Sequence, residues 1–190
     1  MAIVLPDFYE QAADYHKWPP CPCGGCLVRW GFARPRVVEG VDELITPPRA
    51  RCSVCRVTHV LLPSTVLLRR RFSAAVIGEV LECAGCGWGA RRIAKAFFLS
   101  VWTVRRWLRA ARANSPVAVA GLVRLVKRLE PGSETVTRST SPVAALAEWA
   151  GRLAGAMARS ARVPGVRELA WRVASWATMG RMLAPRPMLA

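Results

Sequence analysis

Seven cysteines in a 190-residue chain fall into three groups, and two of the groups have the spacing of metal ligands. The first is Cys21-Pro22-Cys23-Gly24-Gly25-Cys26 and the second is Cys52-Ser53-Val54-Cys55. A tetrahedral zinc ion needs four thiolate or imidazole ligands, and two short cysteine turns brought together supply them. Cys52 and Cys55 have ordinary C-x2-C spacing, and Gly24-Gly25 after Cys23 lets the backbone turn tightly at a sulfur. Either Cys21 or Cys26 completes the set. Cys26 has the standard spacing from Cys23, whereas Pro22 before a cysteine and Gly-Gly after it favour Cys21, so the expected ligands are Cys21, Cys23, Cys52 and Cys55. His59 stands at ligand spacing from Cys55 but reads as a structural histidine on a strand. Cys83-Ala84-Gly85-Cys86 could pair with Cys52 and Cys55 instead, yet Cys83 ends a helical pattern in which Ile77, Val80, Leu81 and Ala84 share a face, where cysteine acts as a small hydrophobe.

The elements that must hold the first two groups are short. Leu27 to Phe32, Arg36 to Glu39 and Val41 to Thr46 are β-prone runs separated by Pro35, Gly40 and Pro47-Pro48. Two cysteine knuckles flanking a hairpin, over about residues 21 to 62, have the layout of a zinc ribbon. So short a segment has little core, and bound Zn2+ would supply much of its folding energy.

A different chemistry runs from Arg91 to Arg109. Ala94 suits a close helix crossing, Phe97 and Leu99 bracket a short turn, Ser100 can cap the next helix, and Val104, Trp107 and Leu108 point inward at helical spacing. That is the apolar pattern of a helix-turn-helix, with Trp102, Arg105, Arg106, Arg109 and Arg112 left outward. Between Glu82 and Glu130 there is no acidic residue, while Arg91, Arg92, Lys95, Arg105, Arg106, Arg109, Arg112, Arg124, Lys127 and Arg128 all lie there. The whole chain carries a net charge of +16 and a pI of about 11.2, the electrostatic footprint of a protein with a polyanionic partner. Double-stranded DNA is the expected partner, contacted by Arg91, Arg92, Trp102, Thr103, Arg105, Arg106 and Arg109.

Catalytic groups are sparse. Asp7, Asp14 and Asp42 are all N-terminal, only Glu130, Glu134, Glu148 and Glu168 follow the basic stretch, and His16 and His59 are the only histidines. Metal-dependent DNA transfer would need three carboxylates converging in a nuclease core, and no glycine-rich phosphate loop or nucleophile elbow is present. The expectation is a protein that is not an enzyme and has no small-molecule substrate.

The expected fold is therefore mostly α with a small β zinc ribbon. An acidic lead-in over residues 1–20 precedes the ribbon, and a three-helix unit occupies 73–113, with helices near 73–84, 90–98 and 101–113. Pro116 ends that unit, and a helical C-terminal region covers 116–184. Within the latter, a polar run over 131–141 reads as a linker. The stripes Leu146, Trp149, Ala150, Leu153, Met157 and Val166, Leu169, Ala170, Val173, Trp176, Ala177 read as two amphipathic helices separated at Pro164-Gly165. Those stripes could pair two copies of the chain, since palindromic sites are read by paired helix-turn-helix units. The first fifteen residues lack the basic region of a secretory signal, and no apolar run reaches the roughly 20 residues of a membrane span. A cytoplasmic, nucleoid-associated location is expected, and in a reducing compartment the cysteines read as ligands or buried thiols before disulfides.

The cysteine knuckle, Leu27-Val28-Arg29-Trp30-Gly31-Phe32-Ala33-Arg34, the run from Arg51-Cys52 through Cys55-Arg56-Val57-Thr58-His59 to Pro63, and the helix-turn-helix together resemble a known arrangement. It is that of the N-terminal zinc-binding and helix-turn-helix region of bacterial transposases, and of small bacterial proteins of unknown function that keep this region without the catalytic domain. The resemblance covers about residues 18 to 113. It implies site recognition on DNA, with the ribbon as a structural or accessory DNA-contacting module. Phe98 departs from it, standing where such turns often have glycine, and Cys21-Pro22-Cys23 is shorter than the usual knuckle. Two other readings fit the composition: a nucleic-acid binder without sequence preference, RNA included, and a basic helical module for acidic proteins or anionic membrane surfaces.

Overall fold

A computed structural model describes residues 2–4, 18–67, 69–161, 166–178 and 182–183. The acidic lead-in over 5–17 and the Pro164-Gly165 break lie outside the described residues, as do the side chains of Val166, Leu169 and Trp176. Among the described residues the fold is mixed, a small sheet followed by five helices: β1 (Ala2–Val4), β2 (Leu27–Phe32), β3 (Pro48–Cys52), β4 (Thr58–Leu62), α1 (Ala74–Gly85), α2 (Ala90–Ala96), α3 (Val101–Leu129), α4 (Pro142–Ala161) and α5 (Val166–Ala177).

The sheet order is β1-β4-β3-β2. β2, β3 and β4 form an antiparallel meander, and β1 adds a parallel edge with Ala2 opposite Val60. Part of the lead-in is thus a strand. The middle of the segment also departs from expectation. Arg36 to Glu39 and Val41 to Thr46 are not strands; Arg36 and Ile45 make a single bridge, and the strand proper starts at Pro48, expected to be a separator. Proline is tolerated at the first position of a strand because its missing N–H leaves no ladder bond unmade there. Ala50 and Leu61 form the small apolar cluster of this unit, with Trp18 and Leu27 packed partly against them.

The helices share one larger core. Ile77, Val80 and Leu81 of α1, Ile93 of α2, Trp107 and Leu122 of α3, Leu146, Trp149 and Leu153 of α4 and Trp171 of α5 belong to a single buried cluster. Hydroxyl caps start three of the helices: Val76 N–H donates to Ser73 Oγ at 3.2 Å, Thr103 N–H to Ser100 Oγ at 3.1 Å, and Ala144 N–H to Ser141 Oγ at 3.1 Å. Each cap satisfies one of the donors that a helix start leaves without an intrahelical partner.

Pro116 does not end a helix, contrary to expectation. It sits inside the 29-residue α3. Interior proline costs about 3 kcal/mol through its lost N–H bond and its clash with the preceding turn. Packing on both sides of it offsets that cost: Ala111 and Ala118 are buried in the shared core, as are Leu122 and Val126. Asn114 Nδ2 ties the same region down by donating to Ala110 O at 3.0 Å and to Met182 O at 3.3 Å.

The polar run over 131–141 is likewise not a free linker. Glu148 accepts from the backbone N–H of Arg138 at 3.1 Å and of Ser139 at 2.9 Å, and Trp149 Nε1 donates to Thr137 Oγ1 at 2.8 Å. The sheet and the helices are joined through residues 39 and 71–73, where Glu39 N–H donates to Arg71 O at 2.7 Å and Ser73 N–H to Glu39 O at 2.9 Å. No helix among the described residues is long and apolar enough to cross a membrane.

Candidate functional site

The antiparallel register places Leu27, at the start of β2, opposite Cys52, at the end of β3. The loop preceding β2 therefore meets the β3–β4 turn, and the two cysteine groups meet with it. Cys21, Cys23, Cys52 and Cys55 bring their sulfurs within 4.8 Å of one another. Cys23 Sγ lies 3.4 Å from Cys52 Sγ, and Cys21 Sγ lies 3.6 Å from Cys55 Sγ. Thiolates around a tetrahedral ion with bonds of about 2.3 Å stand about 3.8 Å apart, so the cluster has the donor type and size for one such ion. Cys26 lies outside it with an exposed side chain, its carbonyl accepting Ser53 N–H at 2.9 Å. Cys83 and Cys86 are on and just after α1 and join no group of metal-ligating side chains among the described residues.

The glycines of the first knuckle have separate tasks. Gly24 adopts φ +85°, and a Cβ on Gly25 would lie 2.6 Å from Cys52 Sγ. The turn needs the first and the passage beside the second knuckle needs the other. Cys21 N–H closes this turn on Gly25 O at 2.9 Å.

Four crowded sulfurs do not ionise independently. Cys52 is held down to about 6: burial opposes ionisation but is outweighed by the backbone N–H groups of Cys55 and Val54 and by the Cys23 and Cys55 thiols. Cys21 is pushed up to about 12, where a favourable backbone N–H at Cys23 is outweighed by burial and by the thiols of Cys23, Cys55 and Cys52. A cation at the centre would remove that conflict by binding all four as thiolates.

His59 is on β4 and fully buried. Its Nε2 lies 3.3 Å from Cys21 Sγ, and its Nδ1 makes no hydrogen bond among the described residues. Burial lowers its pKa, which favours a neutral ring, and the tautomer decides whether its Nε2 donates to the Cys21 sulfur or accepts from it. Its spacing from Cys55 marked it as near the cysteines, but the contact with Cys21, 38 residues away, is made by the tertiary fold.

The second group of candidate residues surrounds the α2–α3 turn. Val104, Trp107 and Leu108 face the core, while Trp102, Arg105, Arg106, Arg109 and Arg112 are exposed. Arg91, Arg92 and Lys95 are exposed on α2. Thr103 is half-buried and its hydroxyl accepts from Ser100 Oγ at 2.8 Å, within the cap. Two of the guanidinium groups are stacked: Arg106 lies 4.8 Å over the Trp102 ring, and Arg92 lies 3.7 Å over the ring of Trp88, a residue the sequence pattern did not single out. Trp30 on β2, 54% exposed, has Arg51 over it at 4.8 Å. It too lacked a sequence signal beyond its place in a strand.

Phe98 is in the left-handed region at φ +53° and is 98% exposed. Leu99 N–H donates to Ala94 O at 2.9 Å, the long closing bond of a Schellman turn whose left-handed residue is usually glycine. A residue with a Cβ pays about 1–2 kcal/mol there. Comparison with protein families, with characterised proteins and with solved structures yields no match.

Proposed function

We propose that this chain is a DNA-binding protein in which α1, α2 and α3 act as a helix-turn-helix and the four-cysteine cluster holds a structural zinc ion. The observation that carries the reading is the exposed face of the first turns of α3. Trp102, Arg105, Arg106 and Arg109 recur there at helical spacing, within a stretch free of acids from residue 83 to 129. A helix entering the major groove reads base edges with its N-terminal residues, so Trp102 and Arg105 take that role. Arg91, Arg92 and Lys95 of α2, with Arg106 and Arg109, suit phosphate contacts that fix orientation.

Zinc supports the sheet rather than chemistry on DNA. With an apolar cluster as small as Ala50 and Leu61, the sheet unit is a segment for which metal binding and folding are one event. Cys21, Cys23, Cys52 and Cys55 would hold the ion, and His59 would donate to the Cys21 thiolate from outside the ligand shell, as outer hydrogen bonds commonly do at metal sites. The combination, with no nuclease core among the described residues, fits a transposase-derived or regulatory protein.

Selection of bound duplexes from a random pool tests the reading. Arg105→Ala should weaken the preferred site by roughly 1–3 kcal/mol more than random duplex, whereas Arg124→Ala, farther along α3, should weaken both equally. Equal losses for Arg105→Ala would favour a binder without sequence preference. Binding to anionic vesicles that outcompetes duplex at the same salt would replace DNA with a membrane surface.

A further inference from the structure

We infer that Phe98 reads the C5-methyl group of a pyrimidine in the major groove. This rests on the DNA-binding reading of α2 and α3. Phe98 contributes little to the fold itself. Its side chain is 98% exposed, its backbone is held at φ +53°, and the apolar needs of the turn are met by its neighbours Phe97 and Leu99, which pack against the helical core. Glycine would serve the turn better on both counts, because the position favours a residue without Cβ and the ring buries nothing. The contribution of the phenyl group therefore lies outside the isolated chain, as strain at an exposed outlier commonly indicates.

Its surroundings narrow the partner. Phe98 precedes α3 by three residues, and one helical turn further on come Trp102, 67% exposed, and Arg105. The Trp102 ring carries the Arg106 guanidinium at 4.8 Å, whereas the Phe98 ring is 98% exposed, so Phe98 stands beside Trp102 as a further apolar group at the leading edge of the cationic face. On the floor of a major groove the apolar complement is the methyl group at C5 of thymine, and 5-methylcytosine presents the same group at the same position.

The experiment uses the full chain and the duplex recovered by selection. Each thymine is replaced in turn by deoxyuridine, which removes only the methyl, and cytosines are compared with 5-methylcytosine in a second arm. For the native protein one position should lose about fourfold in affinity when its methyl is removed, the ~0.8 kcal/mol of one buried methylene-sized group at 1.4 kcal/mol per tenfold. The arm in which the loss occurs identifies thymine or methylated cytosine as the source. Phe98→Gly should bind the methylated duplex about fourfold more weakly, show no further loss on demethylation, unfold at a higher temperature, and keep the same salt dependence. If demethylation affects the native protein and Phe98→Gly equally, or neither, while both bind duplex, the inference is wrong and the DNA-binding reading stands. If the native protein binds no duplex, both are wrong.

Discussion

The contact of α5 with α1 can be tested by adding one methyl group. Gly78 lies under the indole of Trp171, so closely that a Cβ there would fall 2.0 Å from Cγ, 2.2 Å from Cδ1 and 2.4 Å from Cδ2. Carbon atoms rest at about 3.5–4.0 Å, so in Gly78→Ala the two helices must part by roughly 1.5 Å or the indole must leave its rotamer. Overpacking of this kind costs about 1–3 kcal/mol. The shift also draws Trp171 Nε1 from Glu82 Oε1, now 2.6 Å away, and a hydrogen bond to a charged group contributes about 1.5–3 kcal/mol. Alanine returns about 1 kcal/mol of helix propensity over glycine. The expected net destabilisation is about 1.5–5 kcal/mol. Trp171→Ala alone should cost about 3–5 kcal/mol. In the double variant the obstacle is gone, and Gly78→Ala should then stabilise by about 1 kcal/mol. Urea unfolding of the four proteins, followed by far-ultraviolet circular dichroism, closes the cycle with a coupling of at least about 2 kcal/mol. If Gly78→Ala costs the same with and without Trp171, α5 is not docked on α1 and the shared helical core is wrong.

Purified protein should carry about one zinc ion per chain, which Cys21→Ser, Cys23→Ser, Cys52→Ser and Cys55→Ser each lower and Cys26→Ser, Cys83→Ser and Cys86→Ser leave intact; elemental analysis that finds zinc lost from Cys26→Ser but kept in Cys21→Ser would reverse the ligand assignment. Zinc uptake near neutral pH should release protons, because the Cys21 thiol sits at about 12 and is still protonated there, whereas Cys52, at about 6, is largely ionised; competition titrations should show affinity rising with pH. Glu148 is held below the usual carboxylate range: burial, which opposes ionisation, is outweighed by its bonds to Ser139 and the Arg138 backbone and by Arg152. A depressed carboxylate stabilises above its ordinary pKa of about 4.3 and loses that contribution as pH falls through the lower folded value, so amide exchange at Arg138 and Ser139 should accelerate in acid, and Glu148→Gln should show the acceleration already at neutral pH. Finally, if about five of the cations between Arg91 and Arg128 meet phosphates, log affinity for duplex should fall with log salt at a slope of about −4 to −5; a slope near zero would refute the electrostatic footprint.

Local periodicity was enough for the helices around the basic stretch. The inward spacing of Ile77, Val80 and Leu81, the Ser100 cap and the Val104, Trp107, Leu108 stripe each depend on neighbours within two turns, and α1, α2 and the start of α3 lie where that spacing puts them. The grouping of the cysteines was legible too, since two short cysteine turns flanking a hairpin are drawn together at one end of it. The choice of Cys21 over Cys26 rests on more distant pairing: the Leu27–Cys52 register decides which sulfur faces the second knuckle, and spacing alone leaves both in reach. Other features were settled still further away in sequence. Pro116 is carried within α3 because residues on α4 and near 182 cover both of its flanks. The 131–141 run is ordered by the carboxylate and indole of the next helix, and the amphipathic stripe of α4 and the described part of that of α5 are buried against α1 and α3 within one chain. A stripe in the sequence states that a face must be covered; only the tertiary structure decides what covers it, because burial depends on partners that the periodicity of a single element does not contain.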